Sequence, residues 1–148
     1  MQPKFWKLSQ GTREFEFRDI IESINSGLVY VHKDTRSKGT SSISQAEDFM
    51  NANVGDYFYL THGNEGIYLL GQFIGPANLF SKYGDGWLER EFKFIFASNN
   101  RNSYSGEHKW WTPNDNSTFT RVPEHEVEQF ELEILTPYFG VTLNDFGL

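Results

Sequence analysis

Residues Lys33–Gly71 read KDTRSKGTSSISQAEDFMNANVGDYFYLTHGNEGIYLLG, and the order of elements in this stretch decides the fold. Lys33 to Ser42 is a polar loop with three cations (Lys33, Arg36 and Lys38) beside Gly39, Thr40, Ser41 and Ser42. A helix begins at about Ile43 and gathers Ile43, Ala46, Phe49 and Met50 on one face. Val54-Gly55-Asp56 stops it. Tyr57 to Thr61 and Ile67 to Ile74 then read as paired strands, because His62-Gly63-Asn64-Glu65-Gly66 between them has the glycines of a hairpin loop. Alternation along a strand puts Tyr57 and Tyr59 on one face and Phe58 on the other.

Working outward, Phe5-Trp6-Lys7-Leu8 is a strand candidate, with Phe5 and Trp6 on opposite faces. Thr12 offers a helix cap, with Glu14 and Glu16 in the first turn. Phe17, Ile20, Ile21 and Ile24 follow at helical spacing, and Asn25-Ser26-Gly27 is a stop. Leu28 to His32 is a strand that feeds the basic loop. Leu79 to Gly86 is a Gly-containing loop. Trp87 to Phe96 alternates as a half-buried strand does. Ser98 to Glu107 is polar, Lys109-Trp110-Trp111 is aromatic, and Asn114 to Thr118 is turn chemistry. Val122-Pro123-Glu124 opens a short helix holding Val127 and Phe130, and Leu132 to Leu135 is a last strand or a helix end. The sum is an α+β fold: five or six short, mostly antiparallel strands in a small, curved, barrel-like sheet, with three helices.

The 148 residues fit one domain. Aromatics make up 17% of the chain, with 14 Phe, 7 Tyr and 4 Trp. Phe fills cores, whereas Tyr and Trp need a partner for a polar atom and collect at half-wet sites. With no cysteine, disulfides and thiolate metal sites are excluded. No apolar run approaches membrane length, so a cytoplasmic protein is expected. The net charge of -7 argues against generic coating of nucleic acid. The charge is uneven, however. Residues 1–40 carry seven Lys/Arg against five acids, and residues 99–148 carry three against eight. A polyanion would approach the N-terminal third.

Hydrolytic chemistry has little support. There is no Gly-x-Ser-x-Gly elbow, no thiol, no His-Glu-x-x-His and no Walker loop, and His32, His62, His108 and His125 lack metal-ligand spacing. The expectation is a binding domain with no enzymatic activity, cofactor or metal of its own. Lys33, Arg36, Lys38 and Ser41 are the candidate phosphate contacts, helped by unpaired amides at the start of the following helix. Aromatic faces suit an unstacked base. Trp87, at a strand start after Gly84-Asp85-Gly86, is the first candidate wall and Tyr30 the second. Trp6 and Tyr59 are reserves.

Ser44-Gln45-Ala46-Glu47-Asp48 leading to Val54-Gly55-Asp56 resembles the helix-and-turn signature of EVE domains. The order of elements is similar to that of YTH domains; both belong to the PUA-like superfamily. Phe5 to Gly11, Val31 to Thr35 and Lys38 to Ser41 resemble the N-terminal modules that precede McrB-type restriction GTPases. The resemblance covers roughly residues 4–97. It implies a reader of modified bases that extrudes a nucleotide and holds it between aromatic rings. On this likeness the cage walls fall at Tyr30 and Trp87, and base-edge contacts at Ser9 and Gln10. EVE domains carry Trp-Asp after the second strand. Here His32-Lys33-Asp34 stands there without the Trp, which leaves open the first wall, the identity of the base and whether the sequence read is modified at all. Asp34 joins Ser9 and Gln10 as a reader of the base edge.

The expected function is therefore a DNA-binding specificity module for a methylated base (5-methylcytosine, 5-hydroxymethylcytosine or N6-methyladenine), serving a modification-dependent restriction system. The chain would be the N-terminal part of a longer protein carrying a GTPase or nuclease module. The rival readings are an RNA-binding or RNA-modification accessory domain and a small-ligand regulatory module.

Overall fold

The computed structural model describes residues 2–148. Six strands form one curled sheet: β1 (Phe5–Ser9), β2 (Leu28–His32), β3 (Tyr57–Thr61), β4 (Ile67–Phe73), β5 (Trp87–Ala97) and β6 (Phe119–Arg121). Their order across the sheet is β2-β5-β4-β3-β1-β6. The pairings are antiparallel except β1 with β3, which run parallel from Phe5 opposite Tyr57 to Ser9 opposite Thr61. The fold class is thus α+β with a curved, mixed sheet. β5 produces much of the curl: its first half pairs with β2 and its second half with β4, across an irregularity at Leu70/Gly71. An extra residue in one strand of a pair bends it. The curl brings β1 back toward β2, where Gln10 Oε1 accepts the Tyr30 N–H at 3.0 Å.

Hydrophobic residues fill both faces. Inside the curl, Trp6, Leu8, Val29, Val31, Phe58, Leu60, Phe73, Leu88 and Phe119 pack against Ala46 and Phe49 of α2 (Gln45–Asn51). On the opposite face, Phe5, Tyr59 and Leu70 pack against Phe130, Ile134, Leu135 and Tyr138. These come from α3 (Val127–Phe130) and the π-helical continuation Glu131–Phe139. The alternation of Tyr57 and Tyr59 against Phe58 therefore separates two cores. It also explains why Phe5 and Trp6 are both buried: the strand is covered on both sides, so neither ring faces water.

Three local expectations are corrected. α1 (Phe17–Ser26) is capped by Glu16 rather than Thr12, in a reciprocal box with Asp19. α2 starts two residues later than Ile43, whose side chain is exposed. The sixth strand is Phe119–Arg121, where sequence alone gives none, while Leu132 to Leu135 takes the helical of its two expected alternatives. Two buried polar groups tie α2 into place. Asp56 accepts bonds from Lys4 N (3.0 Å), Trp6 Nε1 (2.9 Å) and Asn53 N (3.1 Å). Arg90 donates to the Phe49 and Ala52 carbonyls at the helix end and to Gly75 O, with its guanidinium 4.4 Å over the Phe73 ring. Among the described residues, no helix is long and apolar enough to cross a membrane.

Candidate functional site

A groove of about 790 Å³ opens where the ends of β1 and β2 meet three loops. Its aromatic wall comes from Tyr30 and His32 on β2, Trp87 at the start of β5 and Phe15. Val29 and Val31 point into the core, so alternation turns Tyr30 and His32 to the other face. Ser9 ends β1 at the floor. Arg13 and Glu14 form one rim with Gly63 and Asn64 of the β3–β4 hairpin. Asp34, Thr35 and the turn Pro113 to Thr118 form the other. Pockets for small molecules typically span about 300–1,000 Å³. The space is therefore ample for a nucleobase.

The aromatic wall is a mutually packed cluster rather than two parallel plates. Tyr83, from the loop before β5, stacks on Tyr30 at 4.7 Å and on Phe15 at 5.0 Å, and meets Trp87 edge-on at 5.2 Å. Phe15 and His32 also meet Trp87 edge-on, at 5.2 and 5.0 Å. Edge-on and offset packing are the favoured arrangements of aromatic quadrupoles. The Tyr83 hydroxyl donates to Glu14 O at 3.1 Å. Burial, with Asp19 and other nearby acids, pushes the Tyr83 phenol up to about 12. Burial and then Glu89 push the Tyr30 phenol up as well. Both rings are therefore neutral hydrogen-bonding surfaces at physiological pH. Gly86 is required beside them: its φ is 81°, and a Cβ there would lie 2.7 Å from His32 Nε2.

Beneath the turn at 113–118 lies a buried charge cluster. Lys7 has no exposed surface, and its Nζ donates to Asp115 O and Ser117 Oγ, both at 2.8 Å. Burial lowers the Lys7 amine to about 7, although the Asp115 carboxylate pulls the other way. Asp115 Oδ1 lies 2.7 Å from His108 Nε2. Lys38 Nζ lies 3.3 Å from Oδ2, an ion pair without the alignment of a hydrogen bond. This cluster fixes one rim of the groove.

Of the residues expected to form a base pocket, Ser9, Tyr30, Asp34 and Trp87 line this groove. Three do not. Tyr59 is wholly buried in the second core, and its hydroxyl donates to Trp111 O. Trp6 is stacked on Phe119 at 4.4 Å inside the curl, with its Nε1–H given to Asp56. Gln10 is buried, with its amide shared between Ser23 Oγ and Tyr30 N–H, so it closes the sheet instead of facing the groove.

The cationic loop is also arranged differently from expectation. Lys33 and Arg36 are exposed, Lys33 within 3.4 Å of Asp34. The amides at the start of α2 are already used. Gln45 N donates to Arg36 O, Ala46 N to Thr35 O and Glu47 N to Ser44 Oγ. They are not free for phosphate. Ser41 Oγ is engaged with the backbone of Ile43. Lys38 and Ser41 line a second cavity of about 440 Å³, together with Lys4, Arg121, Trp6 and Trp110. The loop is the partition between the two cavities. Gly39 (φ 62°) makes it possible: a Cβ there would stand 1.9 Å from the Trp110 ring, so the indole lies flat on its backbone. Trp110 is 43% exposed while Trp111 is buried.

Sequence reasoning missed Phe15, Tyr83 and the Lys7–Asp115 cluster. Phe15 and Tyr83 sit in irregular segments, where no periodicity marks a face. Lys7 reads as an ordinary outward cation on a strand, and only the β6 turn packed over it reveals otherwise. Among the described residues, no group of three His, Asp or Glu side chains could hold a metal ion.

Comparison with known proteins adds the fold alone. No protein-family profile matches the chain, and no curated protein matches it. A hypothetical protein from Leishmania major has a similar structure, with a TM-score of 0.51 and 14% identity over 87% of this chain and 92% of that one. A protein from Pseudomonas putida aligns with a TM-score of 0.42 and 12% identity, over 67% of this chain and 72% of that one.

Proposed function

We propose that this chain is a nucleic-acid-binding specificity module that takes an extruded base into the large groove and performs no chemistry of its own. The reading is carried by one observation: Ser9, Tyr30, Asp34 and Trp87, distant in sequence, line a single groove with ample room for a nucleobase. The exposed cations Lys33 and Arg36 lie on the loop that bounds it, and Arg13 lies on its rim. Those cations attract the backbone, while the rings supply stacking. Extrusion costs a few kcal/mol, and a base on an aromatic ring gives about 1–3 kcal/mol in return. Hydrogen bonds from Ser9, Asp34 and the 113–118 turn supply the remainder and select the base edge. The favoured ligand is DNA carrying a methylated base. In that case the module directs a modification-dependent nuclease or GTPase elsewhere in the same protein or complex.

The test is a binding panel of duplexes with 5-methylcytosine, 5-hydroxymethylcytosine, N6-methyladenine or no mark, together with single-stranded RNA, across a salt series. One duplex should bind above the others, with affinity falling as salt rises. Trp87→Ala should erase that preference, a loss of about 5- to 150-fold, and leave weak salt-sensitive binding. Preference for RNA would move the module to RNA. Equal losses on marked and unmarked DNA, or no salt-dependent binding, would remove the base-pocket reading.

A further inference from the structure

We infer that Phe80, with Leu79 beside it, is an apolar wedge that enters the base stack of a duplex at the step vacated by the extruded base. The inference rests on the proposed function and adds a second contact element to it. Phe80 is 88% exposed and Leu79 56%. Scattered exposed apolar side chains are ordinary on any protein. A phenylalanine ring held almost wholly in water by an ordered loop calls for a reason.

The loop is built to hold it there. Asn78 exchanges both backbone bonds with Glu89 of β5, at 2.7 and 3.0 Å. Its side-chain oxygen accepts the Phe80 N–H at 3.0 Å, and Ser81 Oγ accepts the Tyr83 N–H at 3.0 Å. Tyr83 then anchors the far end in the aromatic wall, stacked on Tyr30 and against Trp87. The segment Leu79 to Lys82 is therefore fixed at both ends, and one of those ends, Tyr83, packs against residues that line the groove. Its electrostatics fit the same partner. The loop Leu79 to Gly86 carries Lys82, two residues from Phe80, and Asp85 three residues further on. A ring flanked by one cation suits a base step flanked by phosphates.

Extruding a base leaves a gap in the stack. A side chain that fills it recovers stacking contact, keeps the base from returning and buries its own apolar surface. The pocket and the wedge thus act on the two sides of one event: Tyr30 and Trp87 receive the base, and Phe80 occupies the place it left.

This gives a test that separates the two elements. Phe80→Ala and Trp87→Ala are compared with the unaltered protein on duplexes carrying 5-methylcytosine, 5-hydroxymethylcytosine or N6-methyladenine, and on the same marked strands without complement. Phe80→Ala should weaken binding to the preferred duplex about 10- to 100-fold and leave the single strand within about twofold, because a single strand has no gap to fill. Trp87→Ala should weaken both. The melting temperature of Phe80→Ala should match the unaltered protein, since the ring contributes little to the core. Equal effects of Phe80→Ala on duplex and single strand, or no effect on either, overturn the wedge while the pocket stands if Trp87→Ala still matters. Conversion of a dimer to a monomer by Phe80→Ala, with DNA affinity unchanged, would make the tip a self-association contact and end the inference. If the unaltered protein binds none of the probes, the wedge falls with the proposed function.

Discussion

Raising the pH from 7 to 9 should make this protein more stable, and Lys7 is the reason. Its amine is wholly buried, and burial lowers its pKa from 10.5 to about 7. Below pH 7 the group is charged in both folded and unfolded chains, and the folded state carries the cost of burying that charge. Between 7 and 10.5 the unfolded chain holds a proton that the folded chain has released. Stability rises with pH wherever the unfolded state binds more protons. At about 1.4 kcal/mol per pH unit the full window is worth about 5 kcal/mol, and the part between pH 7 and 9 about 2 kcal/mol. Stopping at pH 9 matters, because Tyr30, Tyr59, Tyr68, Tyr83, Tyr104 and Tyr138 all have phenols raised by burial. As pH nears 10 those phenols ionise first in the unfolded chain and reverse the trend. Urea unfolding should show the midpoint rising by about 1–2 M from pH 7 to 9 for the unaltered protein. Lys7→Met, which keeps the chain length and removes the proton, should show no rise. A flat profile for the unaltered protein, or the same rise in Lys7→Met, would refute the account of a neutral amine under the groove rim.

Two further perturbations probe the frame of the groove. Gln45→Leu removes the acceptor for Thr118 N and Phe119 N (2.7 and 2.8 Å) and the donor to Arg36 O (2.9 Å). With buried amides left unpaired, chemical denaturation should report a loss of about 2–4 kcal/mol. Gly39→Ala meets both its positive φ and the Trp110 ring. Denaturation should show a larger loss in the native background than in Trp110→Ala, where only the backbone strain of about 1–2 kcal/mol remains. Equal losses in the two backgrounds would mean the indole moves aside freely.

The legible parts of this fold are those with periodic burial. β2, β3 and the Gly27 stop of α1 fall where hydrophobic alternation and the glycine put them, because alternate residues of β2 face the core and β3 is covered on both sides. The parts that escape are those whose environment is supplied by distant chain. Phe119–Arg121 has three residues and no pattern of its own; it is a strand because β1 lies open beside it. Ile43 has the spacing of a core residue, yet the backbone before it is already bonded through Arg36 and Thr35 to the helix start, which turns it outward. The same distinction governs the site. Tyr30 and Trp87 were readable because a strand start and strand parity expose one face. Tyr59 obeyed parity as well, but its face is covered by the C-terminal helix, and nothing in its own neighbourhood of sequence announces that cover.

Gln45 and Asp56 serve the frame. Gln45 uses its carbonyl oxygen on two amides of the β6 segment and its amide on the basic loop. Asp56 uses both carboxylate oxygens on Lys4, Trp6 and Asn53. Each spends most of its hydrogen-bonding capacity on the frame. The similarity to the Leishmania major protein, at a TM-score of 0.51, likewise concerns the fold alone. What the groove accepts must be decided by side chains that the frame does not consume. These are the parts of Tyr30 and Trp87 that line the groove, the hydroxyl of Ser9, the carboxylate of Asp34 and the rim held by Lys7. His32, which meets Trp87 edge-on, belongs to that set. Replacing His32 with Trp would extend the aromatic wall into the groove at the cost of its 3.2 Å bond from Asp34 N. The change should alter which base is preferred more than how tightly the backbone is held, and the binding panel described above reads the two separately.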